Sequence, residues 1–271
     1  MKISMMSASL SVWGISASEI AEASRKMELD GIEWVTSCGC SARELRRYSD
    51  DNGLPVVCYT FWAYDAVLSG NTDPVKKGID FALELGAPRV MIPFCVLPDP
   101  FGSVAPYPRS EAKKLWLEKF HTSAELLRNA GLEWMIENYP GRESPMIYAD
   151  DFFDFLKVYP DVKLVYDDGN SASCEDEILS LQRTWEYVRH VHFKDWAFFT
   201  EVPPENHVLA SRPDTIMAPR LILEGEVRTS EVWRELKKRN YTGYVSLEYE
   251  GRHHEPIGAL TRVARQLREM E

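Results

Sequence analysis

The sequence predicts an α/β fold, a single (β/α)8 TIM barrel spanning residues 1–271. Short strand-like runs alternate with longer amphipathic segments about eight times, and no change in composition marks a second domain. Strict alternation of this kind is typical of a parallel sheet with helices packed outside it, and eight units favour a closed barrel over an open sheet. No Gly-x-Gly-x-x-Gly follows the first run, which argues against a dinucleotide-binding fold.

The predicted strands are short, rich in Val, Ile and Met, and mostly bounded by Gly, Pro or Asp. In chain order they are Ile3–Ser7, Gly31–Val35, Pro55–Phe61, Arg89–Phe94, Glu133–Asn138, Lys163–Asp168, His190–Asp195 and Tyr244–Glu250.

Helix-start residues precede several of the amphipathic runs between these strands, and glycines follow two of them. The predicted signals are Ser18 before Glu19–Glu28, Ser41 before Ala42–Asp50, Asp73-Pro74, Ser110 before a run to Asn129, Thr229 or Ser230 before Glu231–Arg239, a last helix over Ile257–Met270, and C-caps at Gly86 and Gly131. The proline-containing segment Trp196–Leu221 is predicted to be a long loop over the barrel mouth.

Composition excludes several classes of protein. The formal net charge is −11, from 42 acidic and 31 basic residues, and such a surface repels nucleic acid. No run approaches the length of a membrane span, and no secretory signal is recognisable. Five cysteines, an odd number in a large chain, indicate reduced thiols. We therefore expect a cytoplasmic protein with no nucleic-acid or membrane partner, and a homo-oligomer is compatible with the sequence.

Four consecutive predicted strands end in side chains that can bind a metal ion. They contribute Glu137, Asp167 or the adjacent Asp168, His192 and Glu248. Barrel enzymes place their chemistry at the carboxyl ends of the strands, where buried carboxylates repel one another unless a cation neutralises them. Three carboxylates and one imidazole suit one divalent ion, Mn²⁺, Mg²⁺, Co²⁺ or Zn²⁺, with positions left for substrate oxygens.

The same stretches resemble a known superfamily. The motifs are Glu137-Asn138, the Asp-x-Gly-Asn turn at Asp167–Asn170, the His-x-His-x-Lys-Asp run at His190–Asp195, and the strand carrying Glu248. They are similar to those of the xylose-isomerase-like barrels, sugar isomerases and epimerases that include D-tagatose 3-epimerase, hydroxypyruvate isomerase and inosose dehydratase. The motif spacing selects Asp167 as the ligand, with Asp168 in reserve.

The resemblance implies a mechanism and a carbohydrate substrate. A metal held by Glu137, Asp167, His192 and Glu248 would polarise a carbonyl and its neighbouring hydroxyl. Glu137 and Glu248 would then remove a proton from one face of a carbon and return it on the other, through an enediolate. The expected activity is isomerisation or epimerisation of a sugar, keto-sugar or polyol derivative. The particular sugar, its phosphorylation state and the metal stay open.

Further residues are candidates for substrate binding. The resemblance implies roles for Glu143, six residues after the first ligand, for Asn138, and for Asn170, which stands where many members carry histidine. Lys194 is placed to bind a substrate oxygen or to pair with Asp195. Aromatic side chains near the mouth, Trp13 and Trp62 among them, could stack on a sugar ring or pack within the protein.

Three other functions stay open. A lyase on the same scaffold would expel a β-oxygen after proton abstraction, as in dehydration of an inosose or elimination from a 3-keto-glycoside. An abasic-site endonuclease would need several metals and more than the six histidines present. A non-catalytic sugar-binding barrel would bind sugar without turnover.

Overall fold

The computed structural model describes residues 1–94, 108–140, 144–201, 209–212 and 215–270. Its strands are β1 (Lys2–Met6), β2 (Gly31–Val35), β3 (Val56–Thr60), β4 (Arg89–Pro93), β5 (Glu133–Glu137), β6 (Lys163–Asp167), β7 (Val188–Phe193), β8 (Asp195–Phe199), β9 (Leu209–Arg212), β10 (Thr215–Arg220) and β11 (Tyr244–Leu247). Eight parallel strands close in the order β1-β11-β7-β6-β5-β4-β3-β2. The predicted (β/α)8 barrel is confirmed.

Helices connect the barrel strands and pack around them. They are α1 (Ala8–Ser11), α2 (Ala17–Lys26), α3 (Ala42–Asp51), α4 (Tyr64–Leu68), α5 (Asp73–Leu85), α6 (Arg109–Lys119), α7 (His121–Asn129), α8 (Ala149–Val158), α9 (Asp168–Ala172), α10 (Glu177–Thr184), α11 (Thr229–Lys238) and α12 (Pro256–Glu269). Within the described ranges, no helix combines the length and apolar character that a membrane crossing needs.

Helix ends follow the predicted signals in some places and depart from them in others. Ser41 caps α3 in a reciprocal capping box, and Gly86 ends α5 with a left-handed φ of 74°, both as predicted. Ser16, rather than Ser18, caps α2, because its side chain accepts the Glu19 N–H. The run predicted as one helix to Asn129 is broken at the buried Phe120 into α6 and α7.

The segment predicted as a loop over Trp196–Leu221 instead contains three strands. β8 follows β7 after one residue and pairs antiparallel with β10, which in turn pairs with β9. Trp196 and Met217 from this sheet pack with Val227 in a small apolar cluster. The prediction was wrong because antiparallel pairing between distant residues leaves no local signal, and Pro219 argues against a strand although β10 contains it.

Asp151 connects the segment before α8 with the neighbouring helix α6. Its buried carboxylate accepts backbone N–H bonds from Ile147 (3.1 Å) and Tyr148 (2.9 Å), and it pairs with Arg109 and Lys113. Burial opposes its ionisation, but the bonds from Arg109 and from the backbone lower the pKa of Asp151 below its ordinary value. The ionised side chain therefore stabilises the fold.

Replacing Asp151 by asparagine should lower the free energy of unfolding by about 1.5–3 kcal/mol, the range for hydrogen bonds to charged groups. Because the folded-state pKa is depressed, this contribution is present above the ordinary pKa and is lost as pH falls through the folded value. Urea unfolding at neutral and acid pH measures it. Asp154→Asn is the control, since the more exposed Asp154 also binds Lys113 and should cost less than about 1 kcal/mol. Equal losses in the two variants would contradict this account.

Candidate metal centre and its cavity

The period of two along each strand brings the predicted ligands to one end of the barrel. Glu137, Asp167, His192 and Glu248 each stand two residues after another buried residue: Met135, Val165, His190 and Ser246, respectively. Side chains at this spacing share a face of the strand. Glu33 on β2 bonds to His190 on β7 and to Ser246 on β11. Neither strand neighbours β2 in the barrel, so this face is the interior.

All four predicted ligands meet within a small buried volume. One ligand atom from each lies within 4.8 Å of the others. Nδ1 of His192 is 2.6 Å from Glu137 Oε1 and 3.6 Å from Glu248 Oε2. Asp167 and His192 are fully buried, and Glu137 and Glu248 are nearly so. The cluster therefore combines three carboxylates and one imidazole in a largely buried position.

A buried lysine lies against the same carboxylates. Nζ of Lys194 is 2.8 Å from Glu248, 3.1 Å from Glu250 and 3.4 Å from Asp167. The predicted alternative, pairing with Asp195, is not seen, because the Asp195 carboxylate accepts backbone N–H bonds from Trp196, Gly225 and Val227. Lys194 is thus directed at the acidic cluster.

Burial and mutual repulsion set the ionisation of this cluster. Burial raises the pKa of Asp167 to about 7 and that of Glu248 well above its usual range, although Lys194 opposes both shifts. Burial also opposes protonation of Lys194, yet the surrounding carboxylates hold its pKa well above the ordinary value. A cation among these carboxylates would favour their ionised forms.

A cavity of about 280 Å³ opens beside the cluster. Among the four predicted ligands, Glu137 and Glu248 line it; Lys194 and Glu250 do so as well. Much of the remaining wall is apolar, and it includes Met6, Val35, Trp62, Met91, Tyr139 and Pro140. Trp62 and Tyr139 meet edge to face, with ring centroids 6.3 Å apart. The cavity therefore has acidic side chains at one end and aromatic rings along its wall. This arrangement suits a small polar molecule with an apolar face.

Three other predicted residues that the structure describes, Asn138, Asn170 and Trp13, do not line this cavity. Asn138 exchanges hydrogen bonds with the Asp167 backbone (2.8 and 2.9 Å), which favours positioning of Asp167 over substrate contact. Asn170 is fully buried, and both polar atoms of its side chain lack a hydrogen-bond partner. The Trp13 ring lies 5.0 Å from the guanidinium of Arg252 and is not part of the lining. Glu143 lies outside the described residues.

The two candidate aspartates are separated by strand alternation. The Asp168 carboxylate turns away from the ligand cluster and accepts hydrogen bonds from the Lys194 backbone N–H (3.1 Å) and the Thr229 hydroxyl (2.7 Å). Asp167 Oδ2 is buried without a hydrogen-bond partner and lies beside the ammonium of Lys194. Asp167 is therefore the aspartate available to a metal.

Sequence reasoning missed two acidic residues in this region. Glu33 lies on β2, is fully buried and binds both His190 and His192. Glu250 binds Lys194 at the cavity wall, and its Oε2 atom has no hydrogen-bond partner. Period-two spacing from Glu248 could have indicated Glu250, whereas Glu33 stands alone in its strand and has no nearby partner in sequence.

The residues present fit a divalent cation. Asp167 Oδ2 and Glu248 Oε2 are buried acceptor atoms without hydrogen-bond partners, and such atoms are costly to bury unless something binds them. An oxygen-rich set with one imidazole suits Mg²⁺, Mn²⁺ or a similar ion. The four side chains can therefore hold a metal, although the geometry does not select one.

Comparison with known proteins agrees with this architecture. The family model for the xylose isomerase-like TIM barrel matches residues 14–270. This chain belongs to that family. No curated protein matches its sequence. As a xylose isomerase-like barrel it shares its fold with many solved structures.

Three of those structures illustrate the range of the fold. The probable 3-DHS dehydratase AsbF involved in petrobactin synthesis, from Bacillus anthracis, is 19% identical, covers all of both chains and has a TM-score of 0.75. The 3-keto-D-glucoside 4-epimerase YcjR from E. coli is 18% identical over 99% of both chains, with a TM-score of 0.70. A xylose isomerase-like protein from Mycobacterium smegmatis, in complex with magnesium, is 18% identical over 95% of this chain and 87% of its own, with a TM-score of 0.66.

Proposed function

We propose that this protein is a divalent-metal-dependent isomerase or epimerase of a sugar, keto-sugar or polyol derivative. The observation that carries the proposal is the convergence of Glu137, Asp167, His192 and Glu248 within 4.8 Å beside a cavity. The family and the epimerase among the structural relatives support the same class. A metal bound by these four residues would supply a Lewis acid that acidifies the C–H bond next to a substrate carbonyl.

The chain's own residues would then move the proton. Glu137, on β5, and Glu248, after β11, line the cavity from strands separated by β6 and β7. Two carboxylates that approach one carbon from different sides can remove a proton and return it on the other face, which inverts that carbon. Asp167 and His192, fully buried behind them, would serve as ligands only.

Lys194 and the aromatic wall would position the substrate. The ammonium of Lys194 lines the cavity 2.8 Å from Glu248, close enough to bind a substrate oxygen near the reacting carbon. The rings of Trp62 and Tyr139 would pack against the apolar face of a sugar. The combination of charged side chains and an aromatic wall favours a substrate that is a sugar ring or a glycoside over a small triose.

A lyase is the second candidate, and Lys194 is the observation that favours it. Elimination needs an acid to protonate the departing oxygen, and Lys194 places a buried amine at the cavity wall, 2.8 Å from Glu248. The relative described as a probable dehydratase supports the same reading. In that case the carbanion formed by Glu137 or Glu248 would expel a β-oxygen rather than recover a proton.

Incubation with keto-sugars in D₂O and Mn²⁺ separates these functions. An isomerase or epimerase is expected to place deuterium on carbon without loss of water or aglycone, as followed by NMR. A lyase is expected to form an enone that absorbs in the ultraviolet. The proposed chemistry would be contradicted if the metal-bound protein showed neither exchange nor elimination with keto-sugars, inososes and 3-keto-glycosides.

A further inference from the structure

Glu33 is completely buried and bonds to His190 and Ser246, each of which stands two residues before a ligand candidate in the sequence. It comes from β2, whereas its partners His190 and His192 come from β7, so the interaction crosses the barrel interior. A carboxylate in such a position is costly unless its oxygens are filled by hydrogen bonds.

Four hydrogen bonds converge on the Glu33 carboxylate. Oε2 lies 3.0 Å from His192 Nε2 and 2.9 Å from His190 Nε2, and it accepts the Ser246 hydroxyl at 2.8 Å. Oε1 accepts the Thr60 hydroxyl at 3.0 Å. The acceptor capacity of an ionised carboxylate is thus largely used by donors from four different residues.

This network determines which nitrogen of His192 faces the candidate metal centre. An ionised carboxylate only accepts hydrogen bonds, so His192 Nε2 carries the proton that Glu33 binds. Nδ1 faces Glu137 and Glu248, at 2.6 and 3.6 Å. A metal-binding imidazole generally donates its other N–H to a carboxylate or carbonyl, which fixes both ring orientation and tautomer.

We infer that Glu33 is a positioning residue that holds the His192 ring so that Nδ1 can bind the divalent cation. This inference rests on the proposed metal-dependent function. Glu33 touches neither the cavity nor the other three ligand candidates in the contacts of the described residues, so it acts through His192.

The alternative that Glu33, His190 and His192 form a second metal site is less consistent with the contacts. Their ligand atoms also lie within 4.8 Å of one another. However, both Glu33 oxygens already accept hydrogen bonds from Ser246 and Thr60. Two carboxylate oxygens without a hydrogen-bond partner, Asp167 Oδ2 and Glu248 Oε2, lie instead in the four-residue cluster. The trio is therefore an orienting network.

The test is the affinity of the whole protein for Mn²⁺, measured by calorimetric titration. Glu33→Gln should raise the Kd about 10–100-fold, as loss of an outer-shell partner does. Ser4→Ala is the matched control, because the buried Ser4 hydroxyl bonds to Ser246 (2.9 Å). The substitution removes one hydrogen bond from the same network at a residue that does not contact His192. We expect it to leave the Kd within about threefold, since the Glu33–His192 bond is intact.

The outcomes separate this inference from the proposed function. No Mn²⁺ binding by the unsubstituted protein would overturn both, whereas equal Kd values in that protein and in Glu33→Gln would overturn only the role of Glu33. Should Glu33→Gln fail to fold, imidazole ¹⁵N NMR of the unsubstituted, Mg²⁺-loaded protein gives a second test. Protonated Nε2 and unprotonated Nδ1 on His192 are expected. The reverse tautomer would overturn the inference.

Discussion

Replacing Glu137 by glutamine is expected to slow proton exchange at the substrate carbon by about 10²–10⁴-fold, the contribution of a positioned acid–base group. Glu137 is almost completely buried and lines the cavity, and its Oε1 atom lies 2.6 Å from Nδ1 of His192. Glutamine keeps the size of the side chain and a carbonyl oxygen but cannot accept a proton from carbon. Deuterium incorporation from D₂O, normalised to bound Mn²⁺, measures the change.

Glu133→Gln is the matched control for this experiment. Glu133 occupies the other end of β5, where it pairs with Arg89 and Arg189 and is a third exposed. The same substitution there should leave the exchange rate unchanged. A rate for Glu137→Gln close to that of Glu133→Gln, at equal metal content, would remove Glu137 from the proton transfer.

Asp167→Asn should weaken Mn²⁺ binding by more than about 100-fold, beyond the loss usual for an outer-shell partner. Asp167 is fully buried, and its Oδ2 atom has no hydrogen-bond partner. Asparagine removes the negative charge and keeps only one oxygen, so both the attraction and the number of donor atoms fall. Calorimetric titration with Mn²⁺ measures the affinity.

The adjacent Asp168 provides the control for charge and position. Its carboxylate binds Thr229 and the Lys194 backbone, so Asp168→Asn should change stability more than Mn²⁺ affinity. If Asp168→Asn weakened binding as strongly as Asp167→Asn in folded protein, the assignment of the ligand by strand alternation would be wrong.

The barrel could be predicted because its signals are local and repeated. Runs of Val, Ile and Met place each barrel strand within about three residues of the observed bounds, and Ser41 and Gly86 mark helix ends. The convergence of the four ligand candidates also follows from the sequence, because parallel strands of a barrel end at a common rim.

Features that depend on contacts between distant residues could not be predicted in this way. Glu33 is a single carboxylate in a strand, and only the closed barrel brings it to His190 and His192. The β8–β10 sheet depends on pairing such as Met217 with Phe198, for which the sequence carries no turn or spacing signal. The role of Lys194 was left open for the same reason, since Glu248 and Glu250 are more than fifty residues away.

The most direct measurement is anomalous X-ray diffraction at the manganese edge from crystals soaked in Mn²⁺. One strong peak is expected within coordination distance of Glu137, Asp167, His192 Nδ1 and Glu248, about 2.0–2.4 Å from each ligand atom. A peak elsewhere, or none at these four side chains in crystals that diffract well, would show that they do not form the metal site.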